Sequence, residues 1–356
     1  MKAYFETAKI TGLAVSVGER EIFMKDEPEY YGGDLGQFNK LQKMIGFHRR
    51  FWAEPETTAA DLCLHAARKL LRAMKVENES VEAVISVTQT PDYHMPGNAH
   101  ILHRALGLPT ASIALDVELG CSGYVYGLWL AYMMVQGGLN RVLLVAGDTF
   151  SRAVNRRDRS EAPLFGDAGC ATLIERAGEK SPAHFILYSD GGGLEQMYQP
   201  AGAYRRPASE ETKKETEYPD GSVRSPQDVY MDGFGIFNFT MTEQPPLLEE
   251  ILSCSGRSID EVDYFVLHQA NTYIVDTIIR NAGIPAAKAP NQTFRDFGNQ
   301  ISASIAGAVC HELAGKLNGR RKLVLQGFGI GLSWGACLVE TDSPLVLSPE
   351  VYQREE

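Results

Sequence analysis

The chain has 356 residues, of which 44% are hydrophobic and 22% charged, enough for a large buried core and too apolar for wholesale disorder. Its formal net charge of −11 lacks the basic footprint that phosphate contacts need, which argues against a nucleic-acid binder but not against an enzyme of small molecules. Such a length implies two domains or one large α/β unit.

In chain order, Met1 to Val15 has no basic segment followed by an apolar run, and Ala8 to Val17 reads as a first strand rather than a leader. No apolar stretch reaches the roughly 20 residues that span a bilayer. Helical patterns occupy Ala59 to Met74, Ser122 to Gln136 and Ile301 to Leu317. Between them, Val81 to Thr88, Arg141 to Ala146, Asp263 to Leu267 and Lys322 to Gln326 read as buried strands, and this alternation predicts an α/β fold. Gly191 to Asp232 is rich in Gly, Pro, Ser and charge and reads as a solvated surface excursion, with a lid as the alternative. The six cysteines, Cys63, Cys121, Cys170, Cys254, Cys310 and Cys337, have neither paired nor metal-ligand spacing. Neither disulfides nor a metal site is expected, and the expected compartment is the reducing cytoplasm.

An internal repeat runs through this order. Leu108-Pro109 leads through Gly120-Cys121 and a helix to Gly138-Leu139-Asn140-Arg141 and a strand. Ile284-Pro285 leads in the same way through Gly298-Asn299 and a helix to Leu317-Asn318-Gly319-Arg320 and a strand. The acidic strand openings at Glu82 and Asp263 also correspond. Either one βαβ-type unit is duplicated, with Cys121 and Asn299 on equivalent turns, or two common α/β patterns coincide.

Three residues stand out chemically. Cys121 follows Gly120 and opens a helix that is apolar nearly all round. Unpaired N–H groups and the positive dipole end there would lower its thiol pKa; the alternative is a structural core cysteine. His268 stands just past the strand Tyr264 to Leu267, where open α/β sheets place ligands, although packing alone also explains a strand-end histidine. Asn299, in Phe297-Gly298-Asn299-Gln300, fits a tight turn whether or not it has a role. The closely spaced glycines from Gly327 to Gly335 have too little chain after them for a dinucleotide fold, and would instead let backbone amides approach a ligand.

Taken together, Gly120-Cys121-Ser122-Gly123, His268-Gln269-Ala270-Asn271, Gly298-Asn299 and Gly327 to Gly335 resemble the β-ketoacyl-[acyl carrier protein] synthase III family of the thiolase superfamily, in order and spacing. Met231-Asp232-Gly233 through Phe237 and Phe165 to Gly169 add to the resemblance, which spans nearly the whole chain. It implies a five-layered αβαβα thiolase fold of two similar halves, residues 1–179 with Cys121 and residues 180–356 with His268 and Asn299. It also implies a homodimer.

The resemblance further implies a decarboxylative condensation. Cys121 would carry an acyl primer, amides of Cys121 and Ile330 would form the oxyanion hole, and His268 and Asn299 would hold the malonyl thioester carbonyl. Asn271 would help order the site, with Phe237, Met95 and Arg159 binding substrate; Met95 would reach the partner's acyl pocket. The substrates would be acyl-CoA or acyl-ACP and malonyl-ACP, with an acyl carrier protein as partner and no further cofactor. Lys40, Met44 and Tyr273 stand where the family grips coenzyme A with a Trp and two Arg, which argues against an ordinary acetyl-CoA primer. Acyl transfer or thioester hydrolysis by the same cysteine, and a non-catalytic partner subunit, are the competing readings.

Overall fold

The structure, a computed structural model, describes residues 1–46 and 48–354, so the last two residues of the expected second half lie outside it. The helix Ala59–Met74 forms where the sequence indicates. Thr58 and Asp61 close a capping box at its start, Leu62, Ala66, Leu70 and their neighbours form a buried stripe, and Lys75 ends it in the left-handed region. Every residue of the strand Ala83–Val87 is buried, as a parallel strand covered on both faces requires.

Two sheets organise the chain. One has seven strands and contains, from edge to edge, Leu345–Val346, Ala8–Val17, Ala168–Arg176, Arg141–Asp148, Ala83–Val87 and Ile113–Val117, with Glu350–Val351 also paired to Ala8–Val17. The other has five, in the order Lys2–Phe5, Ala183–Ser189, Ser333–Asp342, Arg320–Gly329 and Tyr264–Leu267. The run from Ala8–Val17 to Ala83–Val87 and the run from Ala183–Ser189 to Tyr264–Leu267 have the same pairing senses, antiparallel, antiparallel, parallel. Their acidic openings also match. Glu82 donates its amide to Arg141 O at 3.0 Å and accepts the Arg141 amide on its carboxylate, while Asp263 does the same with Lys322 at 2.9 and 2.8 Å. The internal repeat is therefore a duplication of structure.

The layers follow from the helix faces. Gly123–Gln136 and Ser304–Glu312 lie between the sheets and share one core with strands of both, which is why the first is apolar all round. Ala59–Met74 and Asn98–Ala105 cover the outer face of the larger sheet, and Gly233–Ser255 and Thr272–Asn281 that of the smaller, giving five layers.

Two expectations need correction. The helix expected from Ile301 to Leu317 is a 3₁₀ turn, Ile301–Ala303, followed by a shorter α-helix, Ser304–Glu312. Its start is diverted because Asn299 Oδ1 takes the Ile301 amide and Asp148 takes the Ser302 amide and hydroxyl. Second, the excursion after Gly191 is more than a solvated loop. It forms two small ribbons, pairing Met197–Tyr198 with Tyr230–Met231 and Thr216–Glu217 with Val223–Arg224. It is latched to residues 153–158 by Val229 N–H to Ala153 O (2.8 Å), Val223 N–H to Arg157 O (3.2 Å) and a buried Arg224–Asp158 ion pair.

Candidate active site

Cys121 sits just ahead of the helix Gly123–Gln136 and is buried, 6% exposed. The glycines at the end of Arg320–Gly329 make room for it. A Cβ on Gly329 would meet Cys121 Cβ at 2.8 Å and Sγ at 3.2 Å, and one on Gly327 would meet Cys121 O at 2.8 Å. What these glycines let approach, then, is the cysteine turn itself. The adjoining hydroxyls of Ser122 and Ser333 bond at 2.6 Å and tie that turn to the strand Ser333–Asp342.

The expectation of a lowered thiol pKa is overturned. Burial, and secondarily the negative Asp148, push the Cys121 thiol up to about 12, opposed by a hydrogen bond from the Cys121 backbone. The reactive thiolate is thus scarce at neutral pH. Alkylation of Cys121 by iodoacetamide, followed by peptide mass mapping, is expected to rise about tenfold per pH unit from about pH 7 to 9 without levelling. A plateau near neutrality would mean that the helix end prevails after all.

His268 follows Tyr264–Leu267 and is anchored by its amide, which donates to Gln326 O at 2.7 Å. Its Nδ1 lies 2.6 Å from Ser304 Oγ, and its ring meets that of Phe328 in a T-shaped contact at 5.3 Å and 83°. Burial drives its pKa down to about 3, so the imidazole is neutral at physiological pH. Asn299 is held from three sides. Its amide donates to Leu164 O (2.8 Å), its carbonyl accepts from Gly166 N–H (3.0 Å), and its side-chain Oδ1 accepts from Ile301 N–H (2.9 Å). With Oδ1 so engaged, the side-chain NH₂ is the group left to offer. The turn is strained, since buried Ile301 stands at φ +49°, where a β-branched residue is costly.

Cys121, His268 and Asn299 line one cavity of about 240 Å³, together with Phe237, Asn271, Tyr273, Phe328, Gly329 and a largely apolar remainder. Phe237 stacks on Tyr273 at 6.0 Å and 19°. Asn271 is an N-cap, its Oδ1 accepting from Ile274 N–H at 2.8 Å. Ile330 packs in the same apolar cluster as Cys121, directly after Gly329. Two expected substrate residues lie elsewhere. Arg159 lines a different cleft with Tyr30, Trp52 and Arg156, and Met95 is 73% exposed in the single chain.

Several contributors escaped the sequence reading. Met197 and Met231 bring the excursion into the cavity wall, and Glu161 holds Met231 there through its backbone N–H at 2.9 Å. Burial, reinforced by Asp158, pushes the Glu161 carboxyl up to about 8. Asp148 ties the Ser302 turn to the 88–90 segment through Thr88 Oγ1 (3.1 Å) and Gln89 N–H (2.7 Å). Apart from Met231, which stands in the Met231-Asp232-Gly233 stretch, no motif marks these residues, because each acts through a contact made only on folding.

Comparison with known proteins agrees with this geometry. The family described as 3-oxoacyl-[acyl-carrier-protein (ACP)] synthase III matches residues 115–191, and the one described as its C terminal matches residues 252–341. A Campylobacter jejuni protein provisionally assigned as a 3-oxoacyl-[acyl-carrier-protein] synthase 3 is 34% identical over 356 residues, 100% of both chains. The β-ketoacyl-[acyl-carrier-protein] synthase III of Symbiobacterium thermophilum is 31% identical over 330 residues, 92% of this chain and 96% of its own. The crystal structure of a 3-oxoacyl-(acyl-carrier protein) synthase from Burkholderia xenovorans LB400 matches at a TM-score of 0.91, with 35% identity over 99% of each chain. With the duplicated five-layer fold and a cysteine, a histidine and an asparagine at one cavity, the chain belongs to the β-ketoacyl-[acyl-carrier-protein] synthase III family of thiolase-fold condensing enzymes.

Proposed function

We propose that the chain joins an acyl primer to a malonyl thioester with loss of carbon dioxide, holding the primer on Cys121. In the first half-reaction the sulfur attacks the primer thioester, the carbon–sulfur bond to the carrier breaks, and the thiol proton leaves with the departing thiol. In the second, the carbon–carbon bond of the malonyl group releases carbon dioxide and leaves its electron pair as an enolate. The enolate attacks the acyl-cysteine, the bond between the acyl carbon and the Cys121 sulfur breaks, and the thiolate so released takes a proton from solvent. The Cys121 and Ile330 amides are assigned to the oxyanion of acyl transfer, and His268 and the Asn299 amide to the enolate oxygen.

The observation that carries this reading is that the described lining residues bring a thiol to the same cavity as two neutral donor side chains and include no Asp, Glu, Lys or Arg. A malonyl carboxylate without a counter-cation in such surroundings is destabilised, and losing carbon dioxide moves its charge to an oxygen that has donors. Burial drives the His268 pKa down to about 3, which leaves its imidazole a weak general base for hydrolysis.

An acyl carrier protein is the proposed partner, because Tyr273 faces the cavity and stacks on Phe237 where a cation would grip coenzyme A. A cytoplasmic homodimer completes the reading. No helix among the described residues is long and apolar enough to cross a membrane, the strand Ile113–Val117 is a sheet edge paired on one side, and Tyr93 and Met95 are exposed in the single chain. In the dimer, Met95 reaches the partner's acyl pocket.

The test is to offer acyl-CoA and acyl-carrier thioesters with a malonyl thioester and follow the protein by mass spectrometry. The expected result is an acyl adduct on the Cys121 peptide, followed by carbon dioxide and a β-ketoacyl product. No adduct with any thioester, or an adduct released as free acid without carbon dioxide, would reject the condensing assignment.

A further inference from the structure

We infer that Ser304 is a positioning residue that sets the tautomer of His268, keeping the ring proton on Nε2, where it faces the cavity as a hydrogen-bond donor. The argument is a count of protons. Ser304 Oγ has two partners among the described residues, His268 Nδ1 at 2.6 Å and the backbone amide of Gln269 at 3.4 Å. The amide can only donate, so it takes a lone pair of the oxygen. The hydroxyl has one proton to give, and Nδ1 is the acceptor it meets. A proton on Nδ1 would face that hydroxyl proton and leave it unpaired in a site where Ser304 is fully buried. Nδ1 therefore accepts, and the neutral ring holds its proton on Nε2.

Folding makes this arrangement rigid. Ser304 is the first residue of Ser304–Glu312, the helix between the sheets, and the same 299–304 segment presents the Asn299 NH₂. One turn, which Asp148 pins through Ser302, thus both presents the Asn299 donor and orients the His268 ring. Without the hydroxyl, Nδ1 has no donor, the two tautomers become comparable, and part of the enzyme turns a lone pair toward a developing negative charge.

The inference rests on His268 acting as the enolate donor, but its first test needs no substrate. In protein labelled with ¹⁵N-histidine, long-range proton–nitrogen spectra of His268 are expected to show the proton on Nε2; a proton on Nδ1 would overturn the inference. With Ser304→Ala, malonyl decarboxylation and condensation are expected to fall about tenfold while acyl-Cys121 formation stays within about twofold. Ser304→Thr, which keeps the hydroxyl, is expected to restore both the tautomer and the rate. Equal losses in the two half-reactions, or a Ser304→Ala spectrum still wholly Nε2–H, would reduce Ser304 to packing. Should Ser304→Ala fail to fold, the unmodified protein's spectrum still decides. Failure to form any acyl-Cys121 adduct would count against the reaction and leave the tautomer standing.

Discussion

Cys121→Ala is expected to abolish the acyl-enzyme and lower condensation by at least about 10³-fold, while malonyl decarboxylation persists. The first half-reaction needs a sulfur nucleophile, and the other cysteines lie outside the cavity lining. The second needs donors for the enolate oxygen, and His268 and Asn299 are untouched by the change. Removing one buried sulfur costs about 1 kcal/mol in packing, so the fold should survive. Mass spectrometry of the Cys121 peptide and carbon dioxide release measure the two halves separately. Loss of both in a folded variant would mean that the cysteine also shapes the malonyl site.

The converse split is expected on the other side of the cavity. His268→Ala should leave acylation of Cys121 within a few-fold of normal and lower decarboxylation and condensation about 10²- to 10³-fold, the usual effect of losing one preorganised donor. Asn299 needs a more careful substitution, because its side chain also supports the turn. Asn299→Ala removes both the donor NH₂ and the acceptor that holds the Ile301 amide, letting strained Ile301 relax. Asn299→Asp keeps the acceptor and replaces the donor with negative charge. If the amide serves the enolate, Asn299→Asp should be at least as inactive in decarboxylation as Asn299→Ala while melting closer to the unmodified protein. An active Asn299→Asp would assign Asn299 to the turn alone.

These two experiments address different electrostatic problems met by one cavity. The burial that keeps His268 neutral also raises the Cys121 thiol. A neutral imidazole suits an enolate, which needs a donor and would only protonate on a strong acid. A mostly protonated thiol is the slower nucleophile, since the thiolate attacks, but it carries the proton that the leaving thiol must receive. The water-poor surroundings that would weaken a cysteine hydrolase are therefore compatible with both halves of a condensation.

Legibility in the sequence followed the range of the interactions involved. The helix Ala59–Met74 announced its length because its signals are local: a capping box, an apolar stripe and a left-handed end within a few residues. The duplication was visible because Glu82 and Asp263 must each receive the same strand amide, so both halves kept an acid at that position. The helix after Asn299 was misjudged because its start depends on Asp148, which is remote in sequence and claims the Ser302 amide and hydroxyl. The thiol pKa was misjudged for a related reason, since a helix end can be read locally but burial cannot.

From the linear chain came the α/β class, the repeat, and the three side chains able to do the chemistry, all of which depend on residue type and on spacing along a single element. Folding supplied their convergence at one cavity, the methionines that wall it, the serine beside the histidine and the titration of each group. Such properties arise from contacts between residues far apart in sequence and from the exclusion of water, and neither has a signature in any short stretch of sequence.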